Sequence, residues 1–271
     1  MKTEEVKNIE RSIIKKYRKT IWRGFIDSIN TFSLIEENDS IAVCISGGKD
    51  SFLLAKCLQE IQKHGKMHFS LKFICMDPGY KNEHVQKIRE KAKKLDIPLE
   101  IFQTNVFDVS TLLNEKHPCY LCARMRRGFL YDYAQKLGCN KIALAHHFDD
   151  VIETILLAMF YSGSFKTMMP RVKSDHFSGM ELIRPLYFVR EEDIISWAKT
   201  NHLEFLNCGC KFVENKQDSK RKEIKELLKQ LRKINPYIDK NIYRSTEKVN
   251  LQTVLSYQNG EKIESVLEQK E

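Results

Sequence analysis

A Rossmann-like three-layer α/β domain built on a parallel sheet, with helical additions at its N- and C-terminal ends, is the fold class that this 271-residue sequence predicts. Three observations predict it. Short apolar runs alternate with longer stretches of helical periodicity, the pattern of parallel strands joined by crossover helices. Right-handed crossovers then cover both faces of the sheet. Finally, the residues best suited to chemistry fall just after the strands, where open parallel sheets bind ligands.

The elements follow in order. Residues 5–36 read as one basic amphipathic helix, with Ile9, Ile13, Ile14, Tyr17, Ile21 and Phe25 at helical spacing. After the polar break Glu36-Glu-Asn-Asp-Ser40, residues 41–45 are the first strand and 51–63 a helix. Residues 69–76 are the second strand, ending at the turn signal Asp77-Pro-Gly79. A charged helix (83–95), a third strand (99–103), a helix (122–137), a fourth strand (141–145) and a helix (150–161) come next. A short fifth strand (181–185) precedes a helix over 191–201 that carries Trp197 on its apolar side. The tail after about Tyr257 is polar and is expected to fray. The expected organisation is a helical segment at 1–38, the sheet domain at 39–215, and a helical extension with its tail at 216–271.

Composition narrows the function classes. A hydrophobic share of 42% supports a real core. No apolar run reaches the roughly 18–20 residues of a membrane span, so no membrane association is expected. The charged start Met1-Lys-Thr-Glu-Glu predicts no secretory signal and hence a cytoplasmic protein. The formal charge of +9 favours a polyanionic partner. A cytoplasmic chain keeps its thiols reduced, so the eight cysteines are not read as a disulfide framework. Cys44, Cys57, Cys75 and Cys139 sit in apolar or helical settings and read as small buried hydrophobes.

The segment with most chemistry is Ser46-Gly-Gly-Lys-Asp-Ser51, between the first strand and its helix. Gly47 and Gly48 let the backbone turn sharply and approach a ligand. The helix N-terminus behind them favours anions. Lys49 adds a positive charge, and Ser46, Ser51 and Asp50 add polar groups, a set suited to a phosphate chain. The plainer reading is a strand-to-helix turn capped by Ser46 or Asp50. The loop is not a Walker A motif, whose glycines are separated by four residues.

Asp77 follows the second strand, and Ala145-His-His-Phe-Asp-Asp150 follows the fourth. Asp149 and Asp150 could hold Mg²⁺ beside the phosphates or serve as a base, with Glu153 nearby. They equally suit a helix start, as cap and first-turn acids. His147 is favoured over His146 as the functional histidine because it lies closer to the carboxylates. The remaining cysteines form two tight sets, Cys119-Tyr-Leu-Cys122 ahead of a helix and Cys208-Gly-Cys210. Their spacing alone leaves open a redox pair, a zinc site and an iron–sulfur site.

Ser46-Gly-Gly-Lys-Asp-Ser51 resembles the pyrophosphate-binding loop (PP-loop) of the N-type ATP pyrophosphatases. Taken with Cys119-Tyr-Leu-Cys-Ala-Arg-Met-Arg-Arg-Gly128 and Ala145-His-His-Phe-Asp-Asp-Val-Ile-Glu-Thr154, the chain is similar to the tRNA 2-thiocytidine biosynthesis family over nearly its whole length. The resemblance implies a PP-loop domain at 39–215 with an iron–sulfur site, and ATP cleavage between the α and β phosphates with Mg²⁺. Lys49, Asp149 and Asp150 would be catalytic. Ser46, Gly47, Gly48, Lys49, Asp50, Ser51, Asp77 and His147 would bind the nucleotide. A [4Fe–4S] cluster held by three cysteines is implied, and Cys119 and Cys122 carry over directly. The third is Cys208 by alignment on the preceding residues, or Cys210 by counting back from Arg221; Cys208 is favoured. This chain departs from the common Pro-Cys-x-x-Cys of that segment.

The implied reaction adenylates C2 of an anticodon-loop cytidine and replaces its oxygen with sulfur. Arg124, Arg126 and Arg127, beside the cysteines, would bind tRNA phosphates. A sulfur donor such as a cysteine desulfurase is the implied partner, and a homodimer is left open. Two alternatives stand beside it. One is a related uridine 2-thiolation enzyme, whose relatives usually carry extra Cys-x-x-Cys zinc modules. The other is a non-catalytic RNA-binding or sulfur-carrier protein, against which the intact loop and Asp149-Asp150 argue.

Overall fold

The computed structural model describes residues 3–104, 106, 118–205, 216–260 and 262–265. Two compact units divide the chain. One takes in Met1–Val151 and Met169–Ser219, the other Ile152–Met168 and Lys220–Glu271.

The first unit carries the sheet. Its elements are α1 (Glu4–Ile14), α2 (Arg23–Phe32), β1 (Ser40–Cys44), α3 (Lys49–His64), β2 (Ser70–Asp77), α4 (Asn82–Lys94), β3 (Leu99–Gln103), α5 (Pro118–Lys136), β4 (Lys141–Ala143), the start of α6 (Phe148–Ser162), β5 (Arg171–Lys173), β6 (Glu181–Ile183) and α7 (Glu191–Thr200). The strand order is β3-β2-β1-β4-β6-β5. Every pairing is parallel except β5 with β6. β1 lies at the centre, paired on one side with β2 and on the other with β4, Ile41 opposite Lys141 and Val43 opposite Ala143. The chain winds outward on one side of β1 and then crosses to the other, which creates a crevice beyond the strand ends. Antiparallel β5 was not expected; at three residues, it is too short for any period to show.

The strands alternate their side chains between two cores. Ile41 and Val43 join Phe52 and Leu53 of α3, Ile9 and Ile13 of α1, and Trp197 of α7. Ala42 of β1, Ile74 of β2, Ile142 of β4 and Leu182 of β6 face Tyr131 and Ala134 of α5. The expected three-layer α/β arrangement is therefore present. Lys141, buried at the start of β4, donates to Asp39 Oδ2 at 2.7 Å, Glu36 Oε2 at 3.1 Å and the Leu34 carbonyl at 3.2 Å. These bonds fasten the 34–39 linker to the end of the sheet remote from the crevice.

Two element boundaries differ from expectation for physical reasons. The helix expected over 5–36 is broken into α1, a π-turn at Arg18–Trp22 and α2. The Tyr17 N–H reaches back to the Ser12 carbonyl at 2.9 Å, and Trp22 N–H to the Tyr17 carbonyl at 3.1 Å, the i→i+5 pattern of a π-bulge. Tyr17 is held there by hydrogen bonds from its hydroxyl to Ser196 at 3.0 Å and Thr200 at 2.8 Å, both on α7. The other difference is α5, which begins at Pro118, not at Cys122. Proline suits the first helical position because its missing N–H has no helical partner there. Cys119 and Cys122 thus lie inside the helix, in its first two turns.

The second unit holds the rest of α6, α8 (Lys216–Ile234), α9 (Ile238–Glu247) and a hairpin of β6's successors, β7 (Ser256–Asn259) and β8 (Lys262–Ser265). Of the tail expected to fray after Tyr257, residues 257–259 and 262–265 are paired instead, Tyr257 opposite Glu264, and 266–271 lie outside the described residues. Glu153 of α6 is buried between Arg221 Nε at 3.2 Å and Lys225 Nζ at 3.5 Å of α8. Arg232 pairs with Asp239 at 2.9 Å.

Candidate active site

The site is built at the crevice end of β1, β4 and β6. Ile45 ends the run of buried residues, and Gly47 then takes φ 91°, a left-handed conformation open to glycine at little strain. Gly48 is the N-cap of α3 and offers no side chain to cap it. The first N–H groups of α3 therefore lack a side-chain cap and remain suited to an anion. Ser51, buried one turn in, shapes the loop. Its Oγ donates to the Gly48 carbonyl at 2.9 Å and accepts from the Ser46 N–H at 3.2 Å.

Lys49 is drawn to two carboxylates, Glu191 Oε1 at 3.0 Å and Asp50 Oδ1 at 3.2 Å. Burial alone would lower its pKa, but Asp50 and Glu191 outweigh it and hold it above the ordinary lysine value. His147 Nε2 stands 4.0 Å from both Asp50 Oδ1 and Glu191 Oε1.

His147 and Asp150 form a reciprocal cap on α6. The His147 N–H donates to Asp150 Oδ2 at 3.0 Å, and the Asp150 N–H reaches His147 Nδ1 at 3.4 Å. That is capping-box geometry with histidine in the serine role. It leaves the His147 proton on Nε2, facing Asp50 and Glu191. Asp149 points elsewhere. It accepts from Arg190 Nη2 at 3.1 Å, Arg190 Nε at 3.2 Å and the Glu191 N–H at 2.8 Å. Burial opposes its ionisation, yet the Glu191 N–H and the Arg190 charge hold its carboxyl below the usual aspartate range. Asp149 thereby fixes the N-terminus of α7 and its Glu191.

A cavity of about 280 Å³ opens beside the loop. Ser46, Asp50, Ser51, Arg126, His146 and Asp150 supply its polar lining, with apolar walls from Met76, Leu130 and Leu144. Asp50 Oδ1 is buried, with the Lys49 ammonium 3.2 Å away as its charge partner. A buried carboxylate oxygen beside Asp150, at the mouth of an uncapped helix, fits a phosphate-bound Mg²⁺, which takes one or two carboxylates with phosphate oxygens.

The expected residues thus separate. The structure brings Ser46, Asp50, Ser51, Arg126 and Asp150 to the cavity, adds His146, and places Gly47, Gly48, Lys49 and His147 next to it. Asp77 is not in its lining. Its Oδ1 accepts from the Gly79 N–H at 3.0 Å and the Tyr80 N–H at 2.7 Å, so it closes the turn after β2. Arg127 is exposed on α5. Cys119, Cys122 and Arg124 lie in the first two turns of α5. The two cysteines are three apart in the sequence, near a helix N-terminus whose dipole favours thiolates. That donor pair fits iron–sulfur ligation. Cys208 and Cys210 lie outside the described residues, among which no group of three or more metal-ligating side chains gathers. Cys57, Cys75 and Cys139 are buried and Cys44 half-buried, all free. Burial, then Asp77, pushes the Cys75 thiol up to about 12, which makes it inert.

Sequence reasoning missed Arg184, Arg190 and Glu191. The acidic start Glu191-Glu-Asp193 marks the N-terminus of α7, and Arg184 directly follows β6 at the ligand end; those positions were their only signals.

Residues 16–243 match the family model described as the PP-loop domain. Curated relatives of this chain carry the name tRNA-cytidine(32) 2-sulfurtransferase, two of them as follows. One, from Geobacter metallireducens, is 38% identical over 239 residues, covering 87% of this chain and 91% of the relative. The other, from Geotalea uraniireducens, is 37% identical over 246 residues, covering 89% and 94%. Among solved structures, the U34-tRNA thiolase NcsA from Methanococcus maripaludis, described with its [4Fe-4S] cluster, superposes with a TM-score of 0.67 at 22% identity, covering 83% of this chain and 76% of that one. At that identity the likeness speaks to fold alone.

Proposed function

The chain belongs to the tRNA-cytidine(32) 2-sulfurtransferases of the PP-loop family, and from that premise we infer that it is an ATP-dependent tRNA sulfurtransferase, acting at C2 of cytidine 32 in the anticodon loop. The observation that carries this reading is the uncapped α3 N-terminus behind Gly47, set beside a cavity lined by the Asp50 carboxylate.

The chain's own residues divide the work. The first N–H groups of α3 hold the β and γ phosphates, and Lys49 leaves Glu191 to meet the charge that grows on departing pyrophosphate. His147 Nε2–H and Glu191 set where Lys49 waits. Asp50 and Asp150 would hold Mg²⁺, whose charge neutralises phosphate oxygens. Asp149 positions Arg190 and Glu191 through its three hydrogen bonds. The apolar walls at Met76, Leu130 and Leu144 take the nucleoside and exclude water from the adenylate. Adenylation converts the C2 oxygen into a phosphate ester that leaves readily as AMP. Cys119, Cys122 and one of Cys208 and Cys210 would hold the [4Fe–4S] cluster; a three-cysteine cluster keeps one iron open to sulfur. Arg124 and Arg126, on the helix carrying the cysteines, and Arg127 beside them hold tRNA phosphates near the target base.

Unstacked loop bases can be taken into a pocket, which suits an anticodon-loop substrate. The sulfur comes from a donor such as a cysteine desulfurase, and the setting is the cytoplasm; among the described residues no helix is long and apolar enough to cross a membrane. The deciding experiment is mass spectrometry of nucleosides from tRNA incubated with the protein, ATP, Mg²⁺ and a sulfide source under anaerobic conditions. 2-Thiocytidine is the expected product. 2-Thiouridine would move the substrate to a uridine, and no thiolated nucleoside with tRNA still bound would favour a non-catalytic binder.

A further inference from the structure

Among the described residues, Arg184 is a buried cation that the scheme above does not use, bonded to His146, which lines the cavity. It follows β6 directly, so it projects from the ligand end of the sheet, one strand over from β4 and its His146. It is only 8% exposed. Its Nε–H donates to His146 Nδ1 at 3.3 Å, and its Nη1 to the Met169 carbonyl. Neither acceptor is charged when His146 is neutral, as this bond requires. Among the described residues no carboxylate lies within ion-pair distance, and Nη2 has no protein acceptor.

A desolvated charge without a counter-charge is expensive to keep. Here a like charge makes it worse. Burial and then Arg127 pull the Arg184 pKa down to about 10, and Tyr187, Tyr131 and Asp150 only partly offset them. The bond to His146 Nδ1 also puts that ring's proton on Nε2, on a residue lining the cavity. The fork is therefore held by two neutral acceptors, with donors left over for an oxyanion. A planar guanidinium with spare donors matches phosphate geometry.

We propose that Arg184, backed by His146, is a phosphate-binding residue that completes its charge balance only when a nucleotide or RNA phosphate enters the cavity. The missing anion is a phosphate oxygen in either case; its source is the α-phosphate of ATP or a phosphodiester beside the target nucleotide. The proposal rests on the tRNA-thiolation reading for its RNA source only.

Arg184→Met keeps the packed stem and removes the charge; Arg184→Gln keeps a donor. Binding of each full-length variant is measured with two probes, α,β-methylene-ATP and an unmodified tRNA transcript, together with the melting temperature without ligand. Both variants should melt, unliganded, at or above the wild-type temperature, because an uncompensated buried charge has gone. Affinity for one probe should fall roughly ten- to hundredfold, the range for a hydrogen-bonded charge contact. A loss confined to the ATP analogue assigns the nucleotide phosphate, and one confined to tRNA assigns the phosphodiester. Unchanged affinity for both overturns the proposal while leaving tRNA thiolation intact. Loss of the unliganded fold in both variants also overturns it, since the guanidinium would then serve the fold. Wild-type protein that binds neither probe overturns both readings together.

Discussion

Lys49 shows how one side chain is kept ready. Its ammonium sits between Asp50 and Glu191, half-buried and charged. In Lys49→Ala the fold should survive, because partly exposed ion pairs contribute about 0–1 kcal/mol. Turnover should fall roughly ten- to thousandfold, the range for one electrostatic contact at a transition state. Pyrophosphate release in the presence of tRNA reads this out, and a wild-type rate would remove Lys49 from the mechanism. The cysteines give a second residue-scale outcome. Anaerobically prepared protein should be brown, with about four iron and four sulfide per chain. Cys119→Ala and Cys122→Ala should each abolish the colour, whereas only one of Cys208→Ala and Cys210→Ala should. Colourless protein with stoichiometric zinc, lost in all four variants, would indicate a Cys₄ site.

Among the elements, α2 packs closely against the 186–189 segment. A Cβ on Gly24, in its first turn, would stand 3.0 Å from the Phe188 carbonyl oxygen. Alanine is the better helix former by about 0.8–1 kcal/mol, so an uncrowded site would gain stability from it. Gly24→Ala should instead destabilise by about 1–3 kcal/mol, the usual penalty of overpacking, and lower the melting temperature. A rise would show that α2 and the 186–189 segment separate freely. Legibility in the sequence follows the same division between local and distant causes. β1 and α3 were readable because an apolar run ends in Gly47-Gly48 and an amphipathic helix follows. The π-turn was not, since Tyr17 answers to Ser196 and Thr200, far along the chain. The start of α5 was misplaced by four residues because Cys119 and Cys122 resemble loop ligands, while Pro118 is a helix-starting signal. Within the site, the loop and the Asp149-Asp150 pair announced themselves by local pattern. Arg184 and Glu191 did not, because only the β4–β6 pairing and the packing of α7 bring them near the cavity.

For the molecule as a whole, a formal charge of +9 sets the terms of RNA binding. Affinity for tRNA should fall steeply with salt, because released counterions drive association. Replacing Arg126 and Arg127 together by alanine should flatten the slope of log affinity against log salt by roughly 1.4–1.8, two phosphates' worth. An unchanged slope would assign those arginines to packing or to ATP. The sheet has a different whole-chain consequence, one of timing. Its central strand, β1, finds its partner β4 only one hundred residues later, where Asn140 receives the Ser40 N–H. At roughly 5–20 residues per second, about 5–20 s of synthesis separate the two. Throughout that interval an apolar strand leaves the ribosome with one edge unpaired, the kind of surface that chaperones cover and that aggregates when they do not.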